Sequence, residues 1–376
     1  MINAGISASI IAIACLFYAY FGYALVLLII TKLRSQKFSL PEGESQNLKL
    51  TLIITAYNEE RRIKEKLENT VKLEYPAEQL QIIVASDGSD DKTEQIAQQF
   101  DSVEVLRVEG RVGKEATQLE AVKRATGDVV VFTDVSTSLK DSALRRIAKI
   151  FSEPKIGAVS SVDRFVDQDG NISGEGLYVR YEMWLRDLET EFGSLVGLSG
   201  SFFACRKSVC QDWNSEVPSD FGTAIRCRRE GLRAVSDNEL EGFYQDVADP
   251  GAEYARKVRT ILRGINGLRT EAKYLNPFRY GSFSFQLFSH KVMRWSSPIW
   301  MMVAFVGSAI AAWGGSLLGV LLVAGQVAFY LIALLPSQNG VLKIPRFFCM
   351  TNLAILRALI MSLSGVKQAT WKPSIR

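Results

Sequence analysis

Asp134 closes the run Val129-Val130-Val131-Phe132-Thr133, which has the composition of a buried strand. A carboxylate at such a strand end must be solvated, paired or bound to a cation, because burying it bare is costly. Mg2+ or Mn2+ bridging a diphosphate would suit it. Asp87 lies in Ser86-Asp87-Gly88-Ser89-Asp90-Asp91-Lys92-Thr93. An acid before a glycine turn can hydrogen-bond a nucleoside ring or ribose, and it can equally serve a turn followed by a helix cap. Other chemistries are disfavoured. The single histidine, His290, lies beside an apolar stretch, and the five cysteines show no CxxC pairing, so neither a zinc site nor a Ser-His-Asp triad is expected. Neither GxGxxG nor GxxxxGK[ST] occurs.

The elements that must position these residues follow from periodicity. Residues 50–56, 81–85, 103–107 and 128–133 read as strands. Asn58 reads as the cap of a helix carrying Ile63, Leu67 and Val71, and 91–100 and 113–126 read as further helices. This alternation predicts an α/β, doubly wound, mostly parallel sheet. Ligands on such sheets bind beyond the carboxyl ends of the strands. The residues there are Tyr57 and Asn58, then Asp87, then Asp134.

The chain of 376 residues is 48% apolar and 22% charged, with a net charge of +4. That balance argues against a nucleic-acid partner. The charges are unevenly placed: none occurs in 1–31 or in 295–342. The run 6–30 is long enough to cross a bilayer, and it is too long, and lacks the basic start, for a secretory signal peptide. Lys32, Arg34 and Lys37 follow it, which puts the N-terminus outside and residue 32 in the cytoplasm. The second uncharged stretch predicts a hairpin of helices over 297–313 and 316–335, turning at Gly314-Gly315, with Arg294 and Trp295 as interface anchors. Residues 347–365 are apolar but contain Asn352 and Arg357. A mid-span arginine costs about 2.5–3.5 kcal/mol, so an in-plane or re-entrant helix is expected. Residues 252–275 read as an amphipathic helix on the membrane surface. The aromatic face of 177–188 reads as packing rather than a sugar platform, and Glu175 and Glu182 beside it are unexplained. The cysteines should be reduced thiols.

Together, Thr55-Ala56-Tyr57-Asn58-Glu59-Glu60, the Asp87 segment, Gly113-Lys114-Glu115 opening a helix and Gly127-Asp128 leading to Asp134 resemble the family 2 glycosyltransferases. These are inverting enzymes of the GT-A fold. The resemblance covers about 50–275, and the flanking helices resemble those of processive polysaccharide synthases. It implies that Tyr57, Glu59 and Asp87 hold the uridine of the donor and that Lys114 lies near the base or diphosphate. It makes Asp134 the first acid of the metal motif, with Ser136 in place of the second, hence a weaker grip on Mg2+ or Mn2+. The segment 196–204 resembles the glycine-rich acceptor side, with Gly200 and Ser201. Asp220, in Pro218-Ser219-Asp220-Phe221, takes the position of the general base, or else caps a helix over 221–230. Arg256-Lys257-Val258-Arg259-Thr260 stands where processive synthases carry Gln-x-x-Arg-Trp. Arg256 and Arg259 would steady the leaving diphosphate, and the tryptophan on which an acceptor sugar could stack is replaced by Thr260.

The organisation expected is a transmembrane helix over 1–31, a linker over 32–48, a GT-A domain over 49–250 and interface helices over 251–294. A transmembrane hairpin over 295–336 follows, then an in-plane or re-entrant segment with a basic tail over 337–376. The function implied is sugar transfer from a UDP-sugar to a growing extracellular polysaccharide, by a multi-pass protein of the cell (inner) membrane whose catalytic domain is cytoplasmic. Two alternatives stand: single transfer to a polyprenyl-linked acceptor, and a non-catalytic nucleotide-binding subunit. Membrane lipids are expected partners, and the sequence leaves open an export partner and a homo-oligomer.

Overall fold

The computed structural model describes residues 1–34, 48–166, 177–245, 250–335 and 343–367. Most of the linker, Lys372 and Arg376 of the basic tail, and Glu175 lie outside them. Helix α1 (Ile2–Leu33) runs through a π-helical turn at Tyr18–Gly22. The α/β part then alternates as the periodicity predicts: β1 (Leu50–Ala56), α2 (Ile63–Thr70), β2 (Leu80–Ser86), α3 (Thr93–Ala97), β3 (Val103–Arg107), α4 (Lys114–Arg124) and β4 (Val129–Asp134). β5 (Ser138–Leu139), α5 (Ala143–Ile150), β6 (Ile156–Val166), α6 (Leu177–Phe192), β7 (Phe202–Arg206), α7 (Ser219–Arg229) and β8 (Arg233–Gln245) complete it. The strand order is β3-β2-β1-β4-β7-β6-β8-β5. β1 to β4 are mutually parallel where they pair, and β7 joins antiparallel to β4 and β6. The sheet is therefore mixed.

Both faces of the central strands are covered. Ile54, Val84 and Val131 pack on one side, Ile53, Ile83 and Val130 on the other. That is why these strands read as continuous apolar runs rather than alternating ones. Asn58 does not cap a helix. Its φ is +52°, its side-chain oxygen accepts from Asp90 N (2.9 Å), and the helix begins at Ile63. A left-handed residue is needed there to turn the chain sharply off β1, and asparagine tolerates it.

After the sheet come α8 (Pro250–Thr270), α9 (Ser282–Trp295), α10 (Ser297–Trp313), α11 (Leu317–Leu334) and α12 (Lys343–Leu363). α1, α11 and α12 are each long and apolar enough to cross a membrane. α10 meets that measure only together with α9, from which it bends by 56°. The polar residues of α12 have local explanations. Asn352 is buried, donating to the Tyr20 hydroxyl (3.2 Å) and the Phe348 carbonyl (2.9 Å). Arg357 lies 6.0 Å from the Tyr254 ring of α8. Arg294 is not an exposed interface anchor: it is buried and paired with Glu182 of α6. Trp295 likewise packs inward, against Gly264 of α8.

α8 ties these helices to the sheet. At Gly267 a Cβ would sit 3.1 Å from Pro218 Cδ and 3.4 Å from Phe221 Cδ1, so the helix backbone rests on the first turn of α7. Gly267→Leu should lift α8 off that turn and lower stability by about 1–3 kcal/mol. A thermal-shift assay in detergent checks this. A melting temperature equal to that of the unaltered protein would show that the contact is loose.

Candidate active site

Four strand ends and two loops converge at the carboxyl edge of the parallel strands. Asp87 follows β2 and is almost wholly buried (1% exposed). Its Oδ1 accepts from Val112 N (2.8 Å), Gly113 N (3.0 Å) and Thr117 Oγ1 (3.1 Å), and Oδ2 accepts from Gly113 N (3.1 Å). In this structure the carboxylate therefore anchors the loop before α4. That loop places Arg111 over the Tyr57 ring, 3.9 Å from its centroid, a cation–π contact. Glu59 is buried beside them, its N–H donating to Thr93 Oγ1 (2.8 Å), with Arg62 3.8 Å from its carboxylate.

Lys114 opens α4, and its ammonium donates to Asp134 Oδ1 (2.5 Å) and to the Gly200 carbonyl (2.9 Å). The backbone of the two segments is joined as well, Asp134 N donating to Ser201 O (2.9 Å). The Ser201 hydroxyl contacts Asp163 Oδ1 (2.8 Å). Asp220 faces Gly200: a Cβ there would lie 3.5 Å from Asp220 Oδ2. Pro218 is the N-cap of α7 and no side chain caps that helix, so Asp220 is not spent as a cap. The structure thus gathers Tyr57, Glu59, Asp87, Lys114, Asp134, Gly200, Ser201 and Asp220 around one edge, with Ser136 on the loop after β4.

α8 brings in the arginines, which are not equivalent. Arg256 is held by Glu253 of its own helix (2.8 and 3.0 Å). Arg263 pairs with buried Glu115, next to Lys114. Arg259 has no carboxylate partner among the described residues. Burial, and then the charges of Arg263 and Arg256, push its pKa below the ordinary value. A half-buried guanidinium in that state favours an incoming anion.

A divalent cation fits the position in one respect. The Lys114 ammonium already stands as a positive charge on Asp134. Asp134 and Ser136 would hold the ion, and with one carboxylate it would depend on water and donor phosphate oxygens.

Lys66, Arg111 and the Arg263–Glu115 pair escape the sequence reading. Lys66 is the least expected of them. It is buried on α2 and donates to Thr133 Oγ1 (3.0 Å) and the Thr137 carbonyl (2.5 Å), gripping the Asp134 loop from beneath. Its only sequence signal is a lysine just before Leu67 on the helix face that begins at Ile63.

Residues 51–213 match the family model described as glycosyl transferase family 2. This segment is thus similar to the glycosyl transferase family 2 domain. The chain is 25% identical over 182 residues to a β-monoglucosyldiacylglycerol synthase of Trichormus variabilis, covering 46% of this chain and 39% of that protein. It is 26% identical over 189 residues to a poly-β-1,6-N-acetyl-D-glucosamine synthase of Staphylococcus epidermidis, covering 47% of this chain and 45% of that protein. The matches span less than half the length of these curated relatives. The fold matches that of a mannosyltransferase from Pyrobaculum calidifontis, solved in complex with GDP-Man and Mn2+, with a TM-score of 0.74 at 22% identity over 95% of this chain and 99% of that one. The mixed α/β sheet is thus that of a GT-A-like glycosyltransferase fold.

Burial lowers the Lys66 pKa from 10.5 to about 7, with Asp134 opposing the shift. Between those values the unfolded chain binds the proton and the folded one releases it, so stability should rise as pH climbs from about 7 to about 10. Calorimetric unfolding of Lys66→Met should show that rise flattened. An unchanged pH slope would mean Lys66 is charged throughout.

Proposed function

We propose that the protein is a membrane-bound inverting glycosyltransferase that moves a sugar from a UDP-sugar to an acceptor anchored in the membrane. One observation carries this: Gly200 touches both halves of the chemistry, its carbonyl bound by Lys114 on Asp134 and its Cα facing the uncapped carboxylate of Asp220. Asp220 takes the proton of the acceptor hydroxyl as that oxygen attacks the anomeric carbon. The bond from that carbon to the diphosphate oxygen breaks on the opposite face, and UDP departs with the bonding pair. Lys114 and Arg259 meet the developing negative charge, and preorganised charge of this kind stabilises a transition state without reorganisation. A bound Mg2+ or Mn2+ would add neutralisation of the diphosphate. The positive-inside pattern supports a catalytic domain on the cytoplasmic face of the cell membrane.

The membrane-anchored acceptor is supported by α8, which lies between the candidate spans and the Asp220 turn, and by the lipid product in the name of the Trichormus relative. Elongation of an extracellular polysaccharide is the second reading, favoured by the Staphylococcus relatives. Thr260 in place of a stacking tryptophan weighs against it. The two differ in product: one added sugar or a ladder of lengths.

Asp220→Asn keeps the shape of the base but cannot take the proton. UDP release in membranes should fall by about 10²-fold or more while calorimetric UDP affinity holds. Arg259→Ala should weaken UDP binding and turnover together. Near-normal turnover of Asp220→Asn would remove Asp220 as the base. GDP belongs in the same titrations, since the Pyrobaculum complex holds GDP-Man.

A further inference from the structure

We infer that Lys291 and Arg186 form a subsite for the phosphate or diphosphate of a lipid-linked sugar, the acceptor class of the reaction. This rests on the reading that the acceptor is anchored in the membrane. Lys291 lies on α9, and its Nζ is 3.5 Å from where a Cβ at Gly197 would stand, so the ammonium lies against the start of the 197–201 segment. Arg186 reaches the same segment from α6. Its Nη1 donates to Ser160 Oγ (3.2 Å), and that oxygen accepts from Ser199 N (2.7 Å). Two cations from different helices thus flank the segment that carries Gly200.

Neither cation has a carboxylate within ion-pair distance among the described residues. The nearby acids are engaged elsewhere. Glu189 Oε1 contacts the Tyr23 hydroxyl (2.8 Å) and His290 Nδ1 (2.8 Å). Glu182 pairs with Arg294. Burial raises the Glu182 pKa, but Arg294 and His290 outweigh it and hold the carboxyl well below its usual range. Asp163 Oδ1 contacts the hydroxyls of Ser199 (2.6 Å) and Ser201 (2.8 Å). Glu189 and Glu182 act on Lys291 only from beyond ion-pair distance, whereas a phosphate would supply charge-assisted hydrogen bonds to both cations.

The spacing suits a particular molecule. Gly197 and Gly200 are three residues apart, at most ~10 Å along an extended chain. An anion at Lys291 therefore lies close enough to Asp220 for the sugar it carries to present a hydroxyl to the base. α9 bends into α10, and the lipid tail of an acceptor held at Lys291 would run along that candidate span. Because the acceptor then offers a sugar hydroxyl rather than its phosphate oxygen, the general base is still required.

The test uses the full chain in phosphatidylcholine nanodiscs and measures binding of polyprenyl diphosphate by microscale thermophoresis, with inorganic pyrophosphate, phosphatidylglycerol and diacylglycerol as separate arms. The unaltered protein should bind the polyprenyl diphosphate in preference to all three. Lys291→Gln and Arg186→Gln should each lose about tenfold or more in affinity, and Lys291→Arg should retain most of it. UDP affinity, measured on the same samples, should not change, which checks the fold and the donor side. Equal binding by the glutamine variants, or by diacylglycerol, overturns the subsite. Pyrophosphate or phosphatidylglycerol binding as tightly as the polyprenyl diphosphate overturns the lipid-acceptor assignment. Because the lipid assay contains no donor, failure to bind UDP would instead count against the donor reading alone.

Discussion

The Lys114 ammonium carries one positive charge, and the chain sets it between the Asp134 carboxylate and the Gly200 carbonyl. Asp134 ends a parallel strand, while Gly200 precedes an antiparallel one, so this contact closes the gap where the strand direction reverses. Everything around it serves its placement. Asp87 spends its carboxylate on the loop that leads into Lys114, and Lys66 supports the Asp134 loop from below. A charge held this way can exchange a carboxylate for a diphosphate at small cost, because both partners are anionic.

The candidate membrane helices belong to the same arrangement. α8 presses its backbone on the first turn of α7, where Asp220 sits, and sends Arg263 to Glu115 beside Lys114. Arg259, one turn earlier on that helix, has no carboxylate partner among the described residues and feels the charges of Arg263 and Arg256. α8 therefore both supports the turn that carries Asp220 and carries Arg259, the cation proposed to meet the leaving group, and a change in how α8 lies would move the two together.

How much of this was legible in the sequence depended on whether a residue's environment was local. β1 and β3 were readable residue for residue: β1 is covered on both faces and is a plain apolar run, while β3, at the sheet edge, alternates Val103 and Val105 with charged Glu104 before Leu106. The long strands β6 and β8 were not read: Ser160, Ser161, Asn238 and Glu241 interrupt any apolar pattern, and their places are set by distant partners such as Phe202, Asp187 and Arg164. Asp134, Gly200 and Asp220 could be named but not brought together, since only the reversal at β7 joins them. Lys66 contradicts the rule that lysine is exposed, and its partners lie about seventy positions away. Arg256 was read as facing the donor although Glu253, three residues before it, was visible as a competing partner. Asn58 was read as a cap because its left-handed φ cannot be seen from its neighbours.

The most direct measurement is a structure of the full chain with UDP and Mn2+ bound, by crystallography or cryo-electron microscopy. The expected result is a diphosphate between Lys114 and Arg259, with the Lys114 ammonium turned from Asp134 toward phosphate oxygen and the ion taking its place on that carboxylate. A nucleotide bound elsewhere, with the Lys114–Asp134 pair undisturbed, would contradict the assignment of this edge of the sheet as the site of transfer.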